Sequence, residues 1–481
     1  MTIVPKSDRR RLLQSTACGF GALALADLLA AAEFGSVGQS HKSRIPPPLP
    51  HFSPTAKRVM FLVLAGGVSQ VDSFDYKPLL DREDGRSREF ADSRSIARSG
   101  KGTTARVMRP LWPFHQRGGT GKWTSDLFPE MSRHVDRLCF LHGMHTDGVA
   151  HGPATLFLHT GTTTQIRPSV GSWVSYGLGT ENDNLPAFVT LSPSLGNGGP
   201  RNFASGFLPA VHQGTAVGRA DIPAKDSGIP LIGNSRRDDV SARRQFELVQ
   251  ALNRDQLAAR GVGVDSGLEA IVESYELAWR MQHFAPSVLD LTGETRHTLD
   301  LYGIDAPETD SFGRQCLRAR RLAEAGVRYI QVSYSDNSNN PAWDQHANMP
   351  KHAEHARRVD RPIAGLLTDL EARGLLDDTV VWWGGEFGRN PFAENNGTGR
   401  DHDPDGFTVW LAGGGVKRGY SFGATDEFGH VAVEGRTHMR DLHATLLHLL
   451  GLDHEQLTYR FAGRDFRLTD VAGEVIKPVL A

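Results

Sequence analysis

Val59-Met60-Phe61-Leu62-Val63-Leu64 is an unbroken apolar run that ends in Ala65-Gly66-Gly67. A run of this length without polar alternation predicts a strand buried on both faces in a parallel sheet. Comparable runs recur at 138–141, 187–191, 327–332, 379–383 and 407–411. Helical spacing lies between them, as at 352–370 and 438–450, so strands and helices alternate in the βαβ manner. The expected fold is α/β, a largely parallel central sheet sandwiched by helices. Two polar stretches rich in Gly, Arg or Asp, 81–121 and 192–264, interrupt the alternation and predict long loop insertions laid over the sheet rather than sheet elements. From 457 to 480 apolar and polar residues alternate around Gly463 and Gly473, which predicts a terminal β-meander.

The first 54 residues follow neither pattern. Ser7-Asp8-Arg9-Arg10-Arg11-Leu12-Leu13 precedes an apolar, Ala/Gly-rich run from Cys18 to Ala32, the arrangement of a twin-arginine export signal over residues 1–34. A basic helix start and a membrane anchor are the other readings, but the run is short and carries Asp27, which is costly at a bilayer centre. The chain is therefore expected to engage the twin-arginine translocation machinery, to keep no stable membrane span after signal removal, and to work in the periplasm or outside the cell. Residues 35–54, rich in Pro, Ser and Gly, read as a linker, leaving 55–481 as the folded domain. Because that route carries proteins already folded, export also hints at a metal loaded beforehand.

Composition narrows the chemistry. A formal charge of -2 gives no basic surface for nucleic acid, so partners must be found at local sites. The cysteines are Cys18, Cys139 and Cys316, the first within the expected signal, so two buried free thiols are expected and a cysteine-rich zinc site is excluded. In parallel sheets ligands collect beyond the carboxyl ends of the strands. After the first apolar run, Gly66-Gly67 turns the chain toward Asp72, which is either a metal ligand or a turn-capping residue. After 327–332 comes Trp343-Asp344-Gln345-His346, where Asp344 and His346 share one side of an extended segment and offer a carboxylate and an imidazole to one cation. Trp343 suggests that this site is partly dry. After 379–383, two glycines deliver Glu386, and Arg389 supplies a fork of donors suited to an oxyanion or, alternatively, a partner for Glu386. In Gly399-Arg400-Asp401-His402 the preferred ligand is His402, with Asp401 as alternate, and His438 lies just ahead of a late helix.

Several of these segments carry a family likeness. Asp360-Arg361-Pro362-Ile363-Ala364-Gly365-Leu366-Leu367, followed by Gly374-Leu375-Leu376-Asp377-Asp378-Thr379-Val380-Val381, resembles the sulfatase stretch that leads into a metal-binding Ser-Asp-His-Gly loop. Residues 441–450 similarly resemble that group's Asp-Leu-x-Pro-Thr-Leu-Leu helix. The segments 66–78, 343–346, 385–389 and 399–402 look like the bacterial family named as domain of unknown function 1501. The resemblance implies an alkaline-phosphatase-like fold, with Asp72 in the place of the first-strand metal Asp and Glu386 in the place of the loop's Asp. Phe387 replaces the His that should follow. The nucleophile motif of sulfatases resembles His151-Gly152-Pro153-Ala154-Thr155 with Thr160-Gly161 closing the helix, His151 taking the nucleophile's position and Thr155 that of an Arg.

With no Cys or Ser at position 151, the formylglycine mechanism is excluded. The expected catalytic residues are His151, Thr155 and Arg389, and the expected metal ligands are Asp72, Asp344, His346, Glu386, His402 and His438. Mixed carboxylate and imidazole ligands suit zinc or manganese, with calcium or magnesium as the oxygen-preferring alternatives. The expected function is metal-dependent hydrolysis of a phosphate, sulfate or related ester of a small molecule or polysaccharide. The alternative is a metal-stabilised binding protein of the same fold without catalysis.

Overall fold

Strand β1 (Arg58–Leu64) is buried along its whole length, and its side chains divide by the period of two. Val59, Phe61 and Val63 enter one hydrophobic cluster, while Met60, Leu62 and Leu64 enter another on the opposite face. This computed structural model describes residues 49–481 except 231, 234–237 and 261–265, and residues 47–481 cluster as one unit. The twin-arginine segment and most of the expected linker lie outside the described residues. The last linker residues are bound rather than loose: the backbone N–H groups of His51 and Phe52 donate to the Gly451 carbonyl at 2.9 and 3.2 Å.

The remaining strands of the central sheet are β2 (Leu138–His145), β3 (Phe188–Leu191), β4 (Thr215–Val217), β5 (Tyr329–Tyr334), β6 (Thr379–Gly384), β7 (Phe407–Ala412), β8 (Tyr420–Phe422) and β9 (Thr437–His438). Their order is β8-β2-β7-β6-β1-β5-β3-β4, with β9 also pairing β2. Every pairing is parallel except the two made by β7. All six apolar runs are therefore strands, but the last runs backward. No α-helix separates it from β6; the chain folds back through a small ladder pairing Gly388-Arg389 with His402-Asp403, and such a return brings the next strand in antiparallel.

Helices α1 (Ser93–Ser99), α2 (His151–Thr160), α3 (Val170–Leu178), α4 (Asp239–Arg260), α5 (Ser266–Leu289), α6 (Asp310–Glu324), α7 (His352–Ala372) and α8 (Met439–Leu449) accompany the sheet. Phe312, Leu317, Val359, Ile363 and Leu366 of α6 and α7 pack in the cluster of Met60 and Leu62, while Phe157, Trp173, Val174, Leu442 and Leu446 of α2, α3 and α8 pack in that of Phe61. Each such side chain taken out of water contributes roughly 1.5–3 kcal/mol. Among the described residues, no helix is long and apolar enough to cross a membrane.

Two expectations need correction. The stretch 192–264 is not purely an insertion over the sheet, because Thr215–Val217 within it forms the edge strand beside β3. A three-residue edge strand is too short to show a hydrophobic pattern. The terminal meander reduces to one hairpin, Tyr459–Phe461 with Arg464–Phe466, followed by a short turn at Lys477–Val479. The expected 81–121 insertion holds its own hairpin, Ser87–Phe90 with Thr103–Arg106, and helix α1.

Candidate metal centre

Because β1, β5 and β6 are parallel neighbours, the loops after them leave one rim of the sheet. Gly66 follows β1 with φ +118°, and a Cβ there would lie 2.6 Å from the Asp344 backbone nitrogen and 2.7 Å from that of Trp343. Only glycine permits the loop after β5 to pass so close. That loop is anchored by Trp343, fully buried against Phe128, His352 and His355, and it carries Asp344 and His346 to the rim. His151 is the first residue of α2, and His402 pairs with Arg389 in the ladder that returns the chain toward β7.

These four side chains converge. Asp344 Oδ1 lies 3.1 Å from His151 Nε2, 2.9 Å from His346 Nε2 and 3.4 Å from His402 Nε2. The Nε2 atoms of His346 and His402 are 3.1 Å apart. One ligand atom from each of His151, Asp344, His346 and His402 falls within 4.8 Å of all the others, a grouping able to hold a metal ion.

The far side of each ring explains its orientation. His151 Nδ1 donates to Glu386 Oε1 at 2.7 Å, and Glu386 is itself fixed by the Gly66 N–H, at 2.9 and 3.1 Å to its two oxygens. His346 Nδ1 donates to Glu394 Oε2 at 2.5 Å, with Asp401 Oδ1 3.5 Å away. His402 Nδ1 lies between two opposing neighbours, the Val149 carbonyl at 3.1 Å, which would take a proton from it, and Arg94 Nη1, which would give one. With protons placed on Nδ1 of His151 and His346, their Nε2 lone pairs face a carboxylate oxygen, an arrangement that repels itself until a cation enters. His151 Nε2 is buried, and the polar atom it meets is Asp344 Oδ1 at 3.1 Å, a carboxylate oxygen that a shared ion would also bind. Phe387 stacks on His402 with centroids 4.3 Å apart and touches His151 at 5.0 Å, so the residue that breaks the sulfatase pattern is the apolar wall of the site.

Charge gives the same answer. Asp344, Glu386, Glu394 and Asp401 face two buried or nearly buried arginines: Arg389, 2.7 Å from Asp344, and Arg94, 3.0 Å from Asp401. A third, Arg98, reaches Asp401 from solvent at 3.8 Å, so with neutral imidazoles the group keeps an excess of carboxylate charge that favours a bound cation. Without an ion, protons offset part of that excess. Burial opposes charging His151, but its bonds to Asp344 and Glu386 raise its pKa. Bonds to Asp344 and Glu394 push His346 up to about 9. For Asp344 burial works toward a higher pKa, and the His151 and His346 bonds with the Arg389 charge outweigh it, holding the carboxyl well below its usual range.

Asp344, His346 and His402 of the expected ligands thus meet, joined by His151, which the sequence reading had placed among the catalytic residues. Glu386 stands one step back, on the Nδ1 side of His151. Asp72 is a correction: its fully buried oxygens are taken by Ser69 Oγ (2.6 Å), the Leu111 N–H (2.8 Å) and Arg400 Nε (2.8 Å). It neutralises Arg400, which in turn donates to the carbonyls of Asn390, Met108 and Arg109 and ties the 81–121 insertion to the rim. His438 is another correction, because it caps α8, accepting from the Arg440 N–H at 3.3 Å, and leans on Asp147 at 3.2 Å. Arg389 cannot offer a free fork to an oxyanion: it is fully buried, and its nitrogens donate to the carbonyls of Gly67, Gly66 and Arg400 and to Asp344. Thr155 lines a cavity, and its buried hydroxyl has no hydrogen-bond partner. Glu394 was missed; its only signal is an acid just ahead of the Asn395-Asn396-Gly397 turn.

A family model described as "Protein of unknown function (DUF1501)" matches residues 56–480. Among solved structures, the lipoteichoic acid synthase LtaP of Listeria monocytogenes is similar over 90% of this chain and 78% of its own, at 10% identity and a TM-score of 0.38. A magnesium-bound mutant of TAB5 alkaline phosphatase is similar over 83% and 99%, at 11% identity and 0.35. The PsFucS1 sulfatase of Pseudoalteromonas sp. is similar over 83% and 68%, at 15% identity and 0.35. No curated protein sequence matches the chain.

Proposed function

The chain belongs to the DUF1501 family, and we propose that it is a hydrolase of phosphate, sulfate or related esters, working in the cell envelope with one divalent cation between His151, Asp344, His346 and His402. The observation that carries this reading is the convergence of three Nε2 atoms on one carboxylate oxygen, each ring held from behind at Nδ1. Three nitrogens and one oxygen favour zinc or manganese over calcium or magnesium. When bound, such an ion supplies Lewis acidity toward an ester oxygen or a water.

The chain's own residues do the rest. Glu386 and Glu394 hold protons at Nδ1 of His151 and His346, which keeps the Nε2 lone pairs free. Phe387 excludes water from the His151–His402 side. Arg98, largely exposed and 3.8 Å from Asp401, is the cation at the rim able to meet an anionic ester. Position 151, where the sulfatase-like motif would carry its nucleophile, is a histidine, so direct attack by water fits better than a covalent intermediate. The same feature favours the second reading, a binding protein that keeps the metal and has lost turnover.

An assay of the metal-loaded chain against aryl phosphate monoesters and diesters, phosphonates and sulfates separates the two. Hydrolysis of at least one class, lost in Asp344→Asn, supports the hydrolase; a fully loaded chain inert toward every class supports the binding protein. The envelope location rests on Arg9 and Arg10 and on the apolar run after them. Replacing both arginines by lysine is expected to retain the chain in the cytoplasm on fractionation, and undiminished export of that variant would contradict the assignment.

A further inference from the structure

A cavity of about 30 Å³ that none of the four ligands lines is bounded by Thr155 of α2, Asn197 and Asn202 from the 192–264 stretch, and Gln331 and Ser333 of β5, over an apolar floor that includes Phe203. It adjoins the centre by covalent connection: Thr155 is one helical turn after His151, and Ala65, also in its wall, precedes the Gly66 whose N–H holds Glu386. The fold has placed polar groups where apolar ones are the rule. Gln331 and Ser333 alternate on the face of β5 that elsewhere presents Tyr329 to the hydrophobic cluster of Phe61 and Val63.

Three of these side chains have buried atoms with no partner: Thr155 Oγ1, Asn202 Oδ1 and Gln331 Oε1, on residues only 6%, 7% and 3% exposed. The nitrogen ends of both amides are used internally, Asn202 Nδ2 donating to the Asn197 carbonyl at 3.1 Å and Gln331 Nε2 to Ser333 Oγ at 3.3 Å. What remains are two amide acceptors and a hydroxyl able to give or accept, and leaving a buried acceptor unmet costs about 1–3 kcal/mol. The missing partner must therefore bring O–H or N–H donors. It carries no charge, since no lysine, arginine, aspartate or glutamate lines the cavity, and burial holds the one imidazole there, His159, neutral by lowering its pKa to about 3. An anion would meet the amide oxygens unfavourably. The space admits roughly two water-sized groups, the size of a hydroxymethyl or a pair of neighbouring hydroxyls.

We propose that this cavity is a carbohydrate subsite of the same site, receiving a hydroxymethyl or vicinal-diol arm of the molecule whose ester group reaches the metal. The identity of the ester carrier rests on the hydrolase reading, whereas the cavity's preference for neutral hydroxyls does not.

The test is direct binding to the full exported chain, after its metal content is measured, with methyl glycosides of glucose, mannose, galactose and fucose and with inorganic sulfate and phosphate, read by saturation-transfer NMR and calorimetry. At least one glycoside is expected to bind the wild type, and Gln331→Met and Thr155→Val are each expected to weaken it about fivefold or more, the effect of one lost hydrogen bond to a buried acceptor. Both variants should keep the wild-type metal content; two are used because either alone may be confounded by a loss of folding, which thermal melting reports. Failure of every glycoside to bind, meaning that the cavity holds only water, overturns the proposal. So does glycoside binding that both folded variants leave unchanged, or a loss confined to sulfate or phosphate binding. Glycoside binding by a chain without metal or turnover would instead overturn the hydrolase reading and leave the subsite standing.

Discussion

A metal-binding imidazole almost always has its other nitrogen occupied, and here Nδ1 of His151 and His346 meets a carboxylate while that of His402 lies between the Val149 carbonyl and Arg94. Glu386→Gln keeps the shape of the group that holds His151 but removes its charge. It is expected to weaken metal binding by roughly 10–100-fold, measured by competition with a chromophoric chelator; unchanged affinity would mean that Glu386 does not orient the ligand. In the metal-free protein the bonds to Asp344 and Glu394 hold His346 at about 9, so below that pH an entering ion must displace a proton and affinity falls as the solution is acidified. At this scale the sequence was informative where spacing alone decides, as in Asp344 and His346 two residues apart. It misled at Asp72. A strand-end carboxylate looks the same whether its partner is a cation or the guanidinium of Arg400, 328 residues further along.

The elements that carry the ligands were legible because apolar runs of four to six residues have few other uses in an α/β chain. Their order and direction were not. The antiparallel return of β7 depends on the two-residue ladder of Gly388-Arg389 with His402-Asp403, too short to leave a pattern, and β4 is only three residues long. Gly66 shows how an element positions the chemistry, because its φ and its contact with the Trp343–Asp344 backbone leave no room for a Cβ. Gly66→Ala is expected to store about 1–3 kcal/mol of backbone strain and to push Asp344 away from the three imidazoles. The variant should melt at a lower temperature and bind little metal. One with wild-type melting and full metal content would show that the close approach is not needed.

At the scale of the molecule, the sheet order β6-β1-β5 makes neighbours of segments far apart in the chain; Gly66 and Glu386, hydrogen-bonded at the rim, are separated by 320 residues. Single-sequence reading could nominate polar residues after each strand but could not tell which loops bend inward, so His438 was counted with the ligands although it caps α8 on the far side of β2 from β7. The same topology sets the uncharged cavity beside the charged centre, one helical turn from His151 to Thr155. Elemental analysis of the full chain, purified without chelators, tests the central claim most directly. About one zinc or manganese ion per chain is predicted, lost in Asp344→Ala and in His402→Ala and kept in His438→Ala. A wild-type chain free of metal, or an Asp344→Ala chain that retains a full complement, would contradict it.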